Sequence, residues 1–290
     1  MDALAELMTR ISVKRSELGF EPMTPKEYEQ AKADAYNNGI GNLDKEDGYN
    51  CDICKNKGMI ASVVYNEKFG YWTETVTTCK CHKARNAIRR LHRSGLKNVV
   101  KDYSFDKYET PEAWQQTIKE TAMQFCQDDN HNFFFIGGQS GAGKTHICTA
   151  IAVHYIRMGK EVRYMLWRDE ITRIKSVVNE YDQYGSLMDS LKQTDVLYID
   201  DLFKCGKGDD GKVKAPTAAD INAAFEILNY RYNNKNLITI ISSERTLAEL
   251  VDIDEAVAGR IAERSKAGGY CINLKKDKSR NWRMKGCGEI

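Results

Sequence analysis

Residues 138–145 read Gly-Gln-Ser-Gly-Ala-Gly-Lys-Thr, the pattern G-x-x-x-x-G-K-[ST] in full. It constrains the fold because such a loop works only between a strand and a helix. Both neighbours are legible here. Phe133, Phe134, Phe135 and Ile136 give a short buried-strand signal, and Lys144 to about Met158 predicts a helix ending at Gly159. A strand–loop–helix of this kind aims backbone N–H groups and the positive end of a helix dipole at one spot, which suits nucleotide phosphates. Gly138, Gly141 and Gly143 allow the tight curl, and Gln139, Ser140 and Ala142 complete the cradle. Lys144 is expected to reach the β- and γ-phosphates, and the Thr145 hydroxyl to ligate Mg²⁺. The implied ligand is a nucleoside triphosphate.

From about residue 100 onward, apolar strands alternate with helices, the pattern of a parallel α/β sheet. The predicted strands are 132–136, 161–167, 195–200, 237–242 and 270–274. The third, Asp195-Val196-Leu197-Tyr198-Ile199-Asp200-Asp201, ends in two acids. Asp200 is placed to hold Mg²⁺, and Asp201 to polarise an attacking water as general base. Asp is shorter than the Glu common at this second position. The fourth strand runs into Ser242-Ser243-Glu244-Arg245. If it lies between the other two, Ser243 can sense the γ-phosphate; otherwise these residues simply lead into a helix capped at Thr246. Arg260 and Arg264 then stand four apart, on one face of a predicted helix. Their planar forks suit a transferring phosphoryl group, whereas alone they would be read as compensating a helix dipole.

The runs Gly-Gln-Ser-Gly-Ala-Gly-Lys-Thr-His, Leu-Tyr-Ile-Asp-Asp-Leu, Ile-Ile-Ser-Ser-Glu-Arg and Gly-Arg-Ile-Ala-Glu-Arg occur in that order. Together they resemble the DnaC/DnaI-type replicative helicase loaders, especially phage and Gram-positive members, over roughly residues 46–275. These are AAA+ ATPases related to DnaA. The resemblance implies a P-loop ATPase with a parallel five-stranded sheet, helices on both faces and little of the usual helical lid. It also implies ATP hydrolysis, self-association that brings Arg264 (or Arg260) to a neighbour's ATP, and a replicative helicase and single-stranded DNA as partners. The same core occurs in IstB-like transposition helpers, which these motifs do not separate from loaders.

Cys51-x-x-Cys54 and Cys79-x-Cys81 form two close pairs. Zinc takes four soft ligands in a tetrahedron, and each short pair can offer two thiolates from one turn. Val63-Val64-Tyr65 and Tyr71-Trp72-Thr73 between them fit a small β-rich knuckle with little core of its own. Four thiolates leave no open position, so the expected zinc is structural. His82 is an alternative to Cys81. The remaining cysteines, Cys126, Cys148, Cys205, Cys271 and Cys287, read as packing or surface residues. Before the knuckle, Leu4, Leu7, Met8, Ile11 and Leu18 lie near helical spacing, and Thr24-Pro25-Lys26-Glu27 announces a helix that stops at Asn37-Asn38-Gly39. The predicted organisation is a helical segment at 1–45 able to dock a helicase, a zinc knuckle with a basic helix at 46–98, and the ATPase domain at 99–290. A helical N-terminus with a zinc knuckle resembles the DnaI-type loaders more than the IstB-like helpers.

Lys plus Arg (43) nearly balance Asp plus Glu (41), so any nucleic-acid contact must come from local patches. One candidate is the helix after Cys81. Ala84, Ile88 and Leu91 are expected to face inward, with Arg85, Arg89, Arg90 and Arg93 outward. A second is an inserted helical stretch from Arg168 to about Lys192, which in the related initiators and loaders lines a pore for single-stranded DNA. By that analogy Arg168, Arg173 and Lys175 are candidates. A third is the glycine- and lysine-rich loop from Lys204 through Lys207 to Lys212, which could sense nucleotide or strand or be only a surface loop. No apolar run approaches the ~20 residues needed to span a membrane, and the first residues lack a secretory pattern. With nine cysteines, the expected setting is a reducing cytosol. Three functions fit: a helicase loader, a transposition helper, or a nucleotide-binding adaptor with little hydrolysis.

Overall fold

The computed structural model describes residues 23–93, 99–206, 211, 213–277 and 280–282. The apolar residues Leu4 to Leu18, Lys207, Lys212 and Cys287 lie outside them, as do the side chains of Arg90 and Arg93. Two compact units divide between His82 and Lys83. The basic helix expected within 46–98 therefore belongs to the second unit, apart from its first two residues.

In the first unit, α1 (Pro25–Asn38) starts where the sequence announces it. Thr24 accepts the Glu27 N–H, and Glu27 reaches back to the Thr24 N–H, a reciprocal cap. A short helix, α2 (Leu43–Asp47), leads to the first cysteine pair. Then β1 (Met59–Asn66) and β2 (Tyr71–Thr78) form an antiparallel hairpin, in register from Met59–Thr78 to Asn66–Tyr71. Asn37 ties α1 to the hairpin by bonding both backbone groups of Ala61, at 2.8 and 3.0 Å. The hairpin returns the chain to its starting point, which brings the second cysteine pair beside the first.

Helix α3 (Cys81–Arg93) crosses the divide. Ala84, Ile88 and Leu91 are buried as expected, and Arg89 is exposed. Arg85 is not on an outward stripe; it is 2% exposed. It stands one step of about 100° from Ala84 and three residues before Ile88, so the inward face includes it.

The second unit continues with α4 (Val99–Asp102), a 3-10 turn at Phe105–Lys107 and α5 (Ala113–Gln127). Strand β3 (Phe133–Gly138) runs into α6 (Lys144–Arg157), and β4 (Val162–Leu166) is followed by α7 (Trp167–Ser176) and α8 (Tyr181–Lys192). The inserted stretch is thus two helices, broken at Val177–Glu180. Strand β5 (Val196–Asp200), α9 (Ala218–Asn233), β6 (Ile238–Ser243), α10 (Leu247–Val251), α11 (Glu255–Lys266) and β7 (Cys271–Leu274) complete the order. The five strands β3–β7 are parallel in the order β4-β5-β6-β3-β7. Each lies within two residues of its predicted span. Their continuous apolar runs follow from burial on both faces.

Alternation along the strands splits the core into two layers. Phe133, Phe135, Leu197, Ile199 and Ile241 pack with residues of α7 to α11. On the other face Phe134 meets Phe125 of α5, and α6 lies against β5 and β6. Arg231 is fully buried and pins one end of the sheet. It donates to the carbonyls of Lys192 (2.8 Å), Thr194 (2.9 Å) and Ile238 (2.5 Å) and to the Thr239 hydroxyl (2.9 Å). Burial pulls its guanidinium down to about 9.

Candidate nucleotide site and cysteine cluster

The phosphate loop joins β3 to α6. Gly138 has φ 110°, and a Cβ there would meet the Leu274 carbonyl oxygen of β7 at 2.1 Å, so only glycine fits. Lys144 is 6% exposed, and its ammonium donates to the carbonyls of Gly138 (2.9 Å) and Gln139 (2.7 Å). Burial lowers its pKa, opposed by the charges of Asp201 and Glu244. A cavity of about 480 Å³ opens here. Its walls include Ser140, Gly141, Lys144, Thr145, Asp201, Lys204 and Glu244.

Strand β6 lies between β3 and β5, the condition on which a polar sensor depended. The serine that meets the acidic pair is Ser242. It donates to Asp200 Oδ1 at 2.5 Å and accepts the Asp201 N–H at 2.9 Å. The predicted Ser243 lies on the opposite side of the strand. Its hydroxyl donates to the Leu202 carbonyl (2.8 Å) and accepts the Arg245 N–H (3.1 Å). The period of two along a strand decides which of adjacent serines faces the site. Thr145 also approaches Asp200 Oδ1, at 3.3 Å, while the Tyr164 hydroxyl donates to Oδ2 at 2.9 Å.

Asp201 adopts a left-handed backbone, φ 60°. That turn leaves its carboxylate in the cavity wall. Burial raises its pKa, and the nearby Asp200 charge adds to this. Lys204 opposes both, standing 2.8 Å from Asp201 and 3.0 Å from Glu244. Glu244 in turn accepts the Ser140 hydroxyl at 3.1 Å. Burial works against ionising Glu244, but Lys204 outweighs it and the pKa is lowered. Lys204 and Glu244 therefore link the acidic pair to the phosphate loop.

A further wall comes from residues far upstream in the chain. Tyr103 and Tyr108 pack against His146, with ring centres 5.2 and 5.3 Å apart, and Tyr108 lies 3.1 Å from where a Gly143 Cβ would stand. Neither tyrosine belongs to a motif, so nothing local marks them. The alternation of β4, with Tyr164 in register with Tyr198, was the signal available for Tyr164.

Arg260 and Arg264 share one face of α11, as their spacing predicts, and neither lines the cavity. Arg260 lies over the Phe225 ring (4.4 Å) and bonds Asn229; Arg264 lies over Tyr232 (4.6 Å) and bonds its carbonyl. Of the DNA candidates, Arg168, Arg173 and Lys175 are exposed. Arg173 pairs with Glu170 and Lys175 with Asp220.

In the first unit, the sulfurs of Cys51, Cys54, Cys79 and Cys81 all lie within 4.8 Å of one another and are buried. Cys51–Cys79 and Cys54–Cys81 stand 3.9 and 3.6 Å apart. A ZnS₄ tetrahedron with Zn–S of about 2.3 Å has edges of about 3.8 Å, which these two separations match, and the 4.8 Å bound on the others places all four thiols close enough to share one zinc. All are free of disulfides. The Gly58 N–H donates to the Cys54 sulfur at 3.2 Å, a bond that favours a thiolate. His82 is exposed, so the fourth place in the cluster is taken by Cys81.

The sequence model of the family described as IstB-like ATP binding protein matches residues 59–281. The chain belongs to this family. It is an AAA+ ATP-binding family that includes DnaC-like relatives. The Phage-like element PBSX protein XkdC of Bacillus subtilis (strain 168) is 32% identical over 74% of this chain and 79% of its own length. The Replicative helicase loader DnaC of Buchnera aphidicola subsp. Acyrthosiphon pisum is 26% identical, over 42% of this chain and 51% of that protein. A crystal structure of the DnaC helicase loader overlaps 61% of this chain and 98% of its own, at 22% identity and a TM-score of 0.48. Among the described residues no helix is long and apolar enough to cross a membrane.

Proposed function

We propose that this chain is a cytoplasmic ATPase that loads a ring-shaped replicative helicase onto single-stranded DNA. The observation behind the ATPase reading is the meeting of Lys144, Thr145 and Asp201 at one cavity, with Asp200 3.3 Å from the Thr145 hydroxyl. The likeness to a protein named as a helicase loader supports the partner reading.

In this reading the loop N–H groups and Lys144 bind the β- and γ-phosphates. Thr145 and Asp200 would hold Mg²⁺, which supplies charge neutralisation on the phosphates. Asp201 takes a proton as water attacks the γ-phosphorus; the bond to the β-bridging oxygen breaks, and ADP and phosphate leave. Lys204 orients Asp201. Arg264, or Arg260, acts on a neighbouring subunit's ATP once it leaves its partners on α9. The four cysteines hold structural zinc in the unit that grips the helicase.

The test is native mass spectrometry with the cognate replicative helicase, alongside ATP turnover with and without single-stranded DNA. A complex with the helicase and DNA-responsive turnover are expected. The family description favours a second reading, a transposition helper. Binding to a transposase in place of the helicase would establish that one. Mixing Arg264→Ala with Lys144→Ala chains tests the trans arginine, because one wild-type arginine then faces one intact loop. Co-assembly without recovered turnover would remove Arg264 from this role.

A further inference from the structure

The chain does not leave the nucleotide site after β7. It returns across the phosphate loop. The Asp277 N–H donates to Gln139 Oε1 at 3.1 Å, and the Trp282 N–H donates to the Gly141 carbonyl at 2.9 Å. The Arg280 N–H also donates to the Asp277 carbonyl, at 3.0 Å. Asn281 presses so closely on the loop that a Cβ on Gly141 would meet its Oδ1 at 1.9 Å. Gly141 thus serves two demands: a left-handed backbone at φ 75° and room for this crossing segment. The Arg280 guanidinium lies over the Trp114 ring at 5.1 Å, and Arg280 and Trp282 both line the 480 Å³ cavity that holds Lys144 and Asp201.

We propose that Asp277 and residues 280–282 form a strap that completes the nucleotide site. Arg280 presents a cation to the oxygens of the bound nucleotide, and the Trp282 indole forms an apolar wall against it. This rests on the nucleotide-binding reading and adds residues to it from outside every sequence motif. The chemistry of its anchors makes the strap a wall and not a plug. Both anchors on the loop are acceptors, the Gly141 carbonyl and the Gln139 side-chain oxygen. Neither of these two bonds takes up a loop N–H group, the donors that phosphates need. Because it is bonded to the loop backbone, any shift of the loop around phosphates is passed to Trp282.

The experiment is titration of the full chain with Mg-ADP and with a slowly hydrolysed ATP analogue, by calorimetry and tryptophan emission. Comparison proteins are Arg280→Ala, Trp282→Phe, Trp282→Ala, a chain ending at Lys276, and Lys144→Ala. The expected result is about tenfold weaker affinity for Arg280→Ala and Trp282→Ala, a larger loss for the shortened chain, and unchanged circular dichroism. The emission change on nucleotide binding should largely vanish in Trp282→Phe. Wild-type affinity in both single alanine variants and the shortened chain would overturn the strap, as would tighter binding, which would make it a plug. Failure of the wild-type chain to bind either nucleotide would instead sink the nucleotide-binding reading, and this inference with it.

Discussion

The two units of this molecule are held together by different means. In the second, Phe133 to Ile136, Val196 to Ile199 and Ile240 and Ile241 are almost wholly removed from water, with helices over both faces of the sheet. In the first, the buried apolar side chains among the described residues are Ala33, Ala61 and the four cysteines. Its larger apolar residues, Val64, Tyr65, Phe69 and Tyr71, are exposed on the hairpin. One unit folds by burying apolar area; the other gathers sulfurs in place of a core. A hairpin covered by one helix buries little apolar area, so a metal held by the four cysteines would supply folding energy that this unit otherwise lacks.

This contrast can be broken most directly by taking the metal away. Cys51→Ser, or a strong chelator, should unfold the first unit, since zinc in such modules contributes on the order of ~10 kcal/mol. The melting transition of the second unit should remain. Metal analysis of protein purified under reducing conditions should give about one zinc per chain. Protein without zinc that keeps its hairpin signals would refute the contrast.

The converse test strikes the second unit. Arg231→Ala removes the donor to several buried acceptors and should cost about 4 kcal/mol, with the first unit unaffected. Chemical denaturation followed by tryptophan emission measures it.

Next in size is a loss of function without loss of fold. Lys144→Ala should weaken nucleotide binding by about a hundredfold or more, while melting stays close to wild type. Normal affinity in the folded variant would remove the phosphate-loop assignment.

A smaller effect sharpens how the second unit builds its site. Tyr164→Phe deletes one hydroxyl from Asp200 and should raise the Mg²⁺ concentration needed for tight nucleotide binding by about fivefold, roughly 1 kcal/mol. Calorimetry across a Mg²⁺ series reads it independently of turnover.

The smallest concerns pH. The Tyr270 hydroxyl, then the Asn130 N–H and His131, hold Asp128 at about 2, below its ordinary 3.8. A depressed carboxyl stabilises the fold above its unfolded value and loses that contribution as pH falls through the folded one. The difference in melting temperature between wild type and Asp128→Asn should therefore be steady above about pH 4 and close toward pH 2.

The sequence by itself made legible the strand spans, the strand–loop–helix around residues 138–145, the cap on α1 and the close spacing of the cysteine pairs. These are local signals, written in periodicity, glycine placement and short spacings that a chain must satisfy wherever it lies. It pointed to Ser243, whereas Ser242 meets Asp200, because that choice depends on which face of β6 turns toward β5. Nor did it expose Tyr164, Arg231 or the strap. Each acts through a neighbour brought close only by the sheet order β4-β5-β6-β3-β7, as when Tyr164 reaches Asp200 across 36 residues and Trp282 reaches Gly141 from beyond the last strand. Arg85 shows the same limit: helical spacing set its angle, but only packing around α3 decided that this angle was buried. Local chemistry fixes what each segment can be. Which polar groups meet is decided by strand order and burial, because a hydrogen bond within 3.5 Å depends on position in space and carries no mark in sequence.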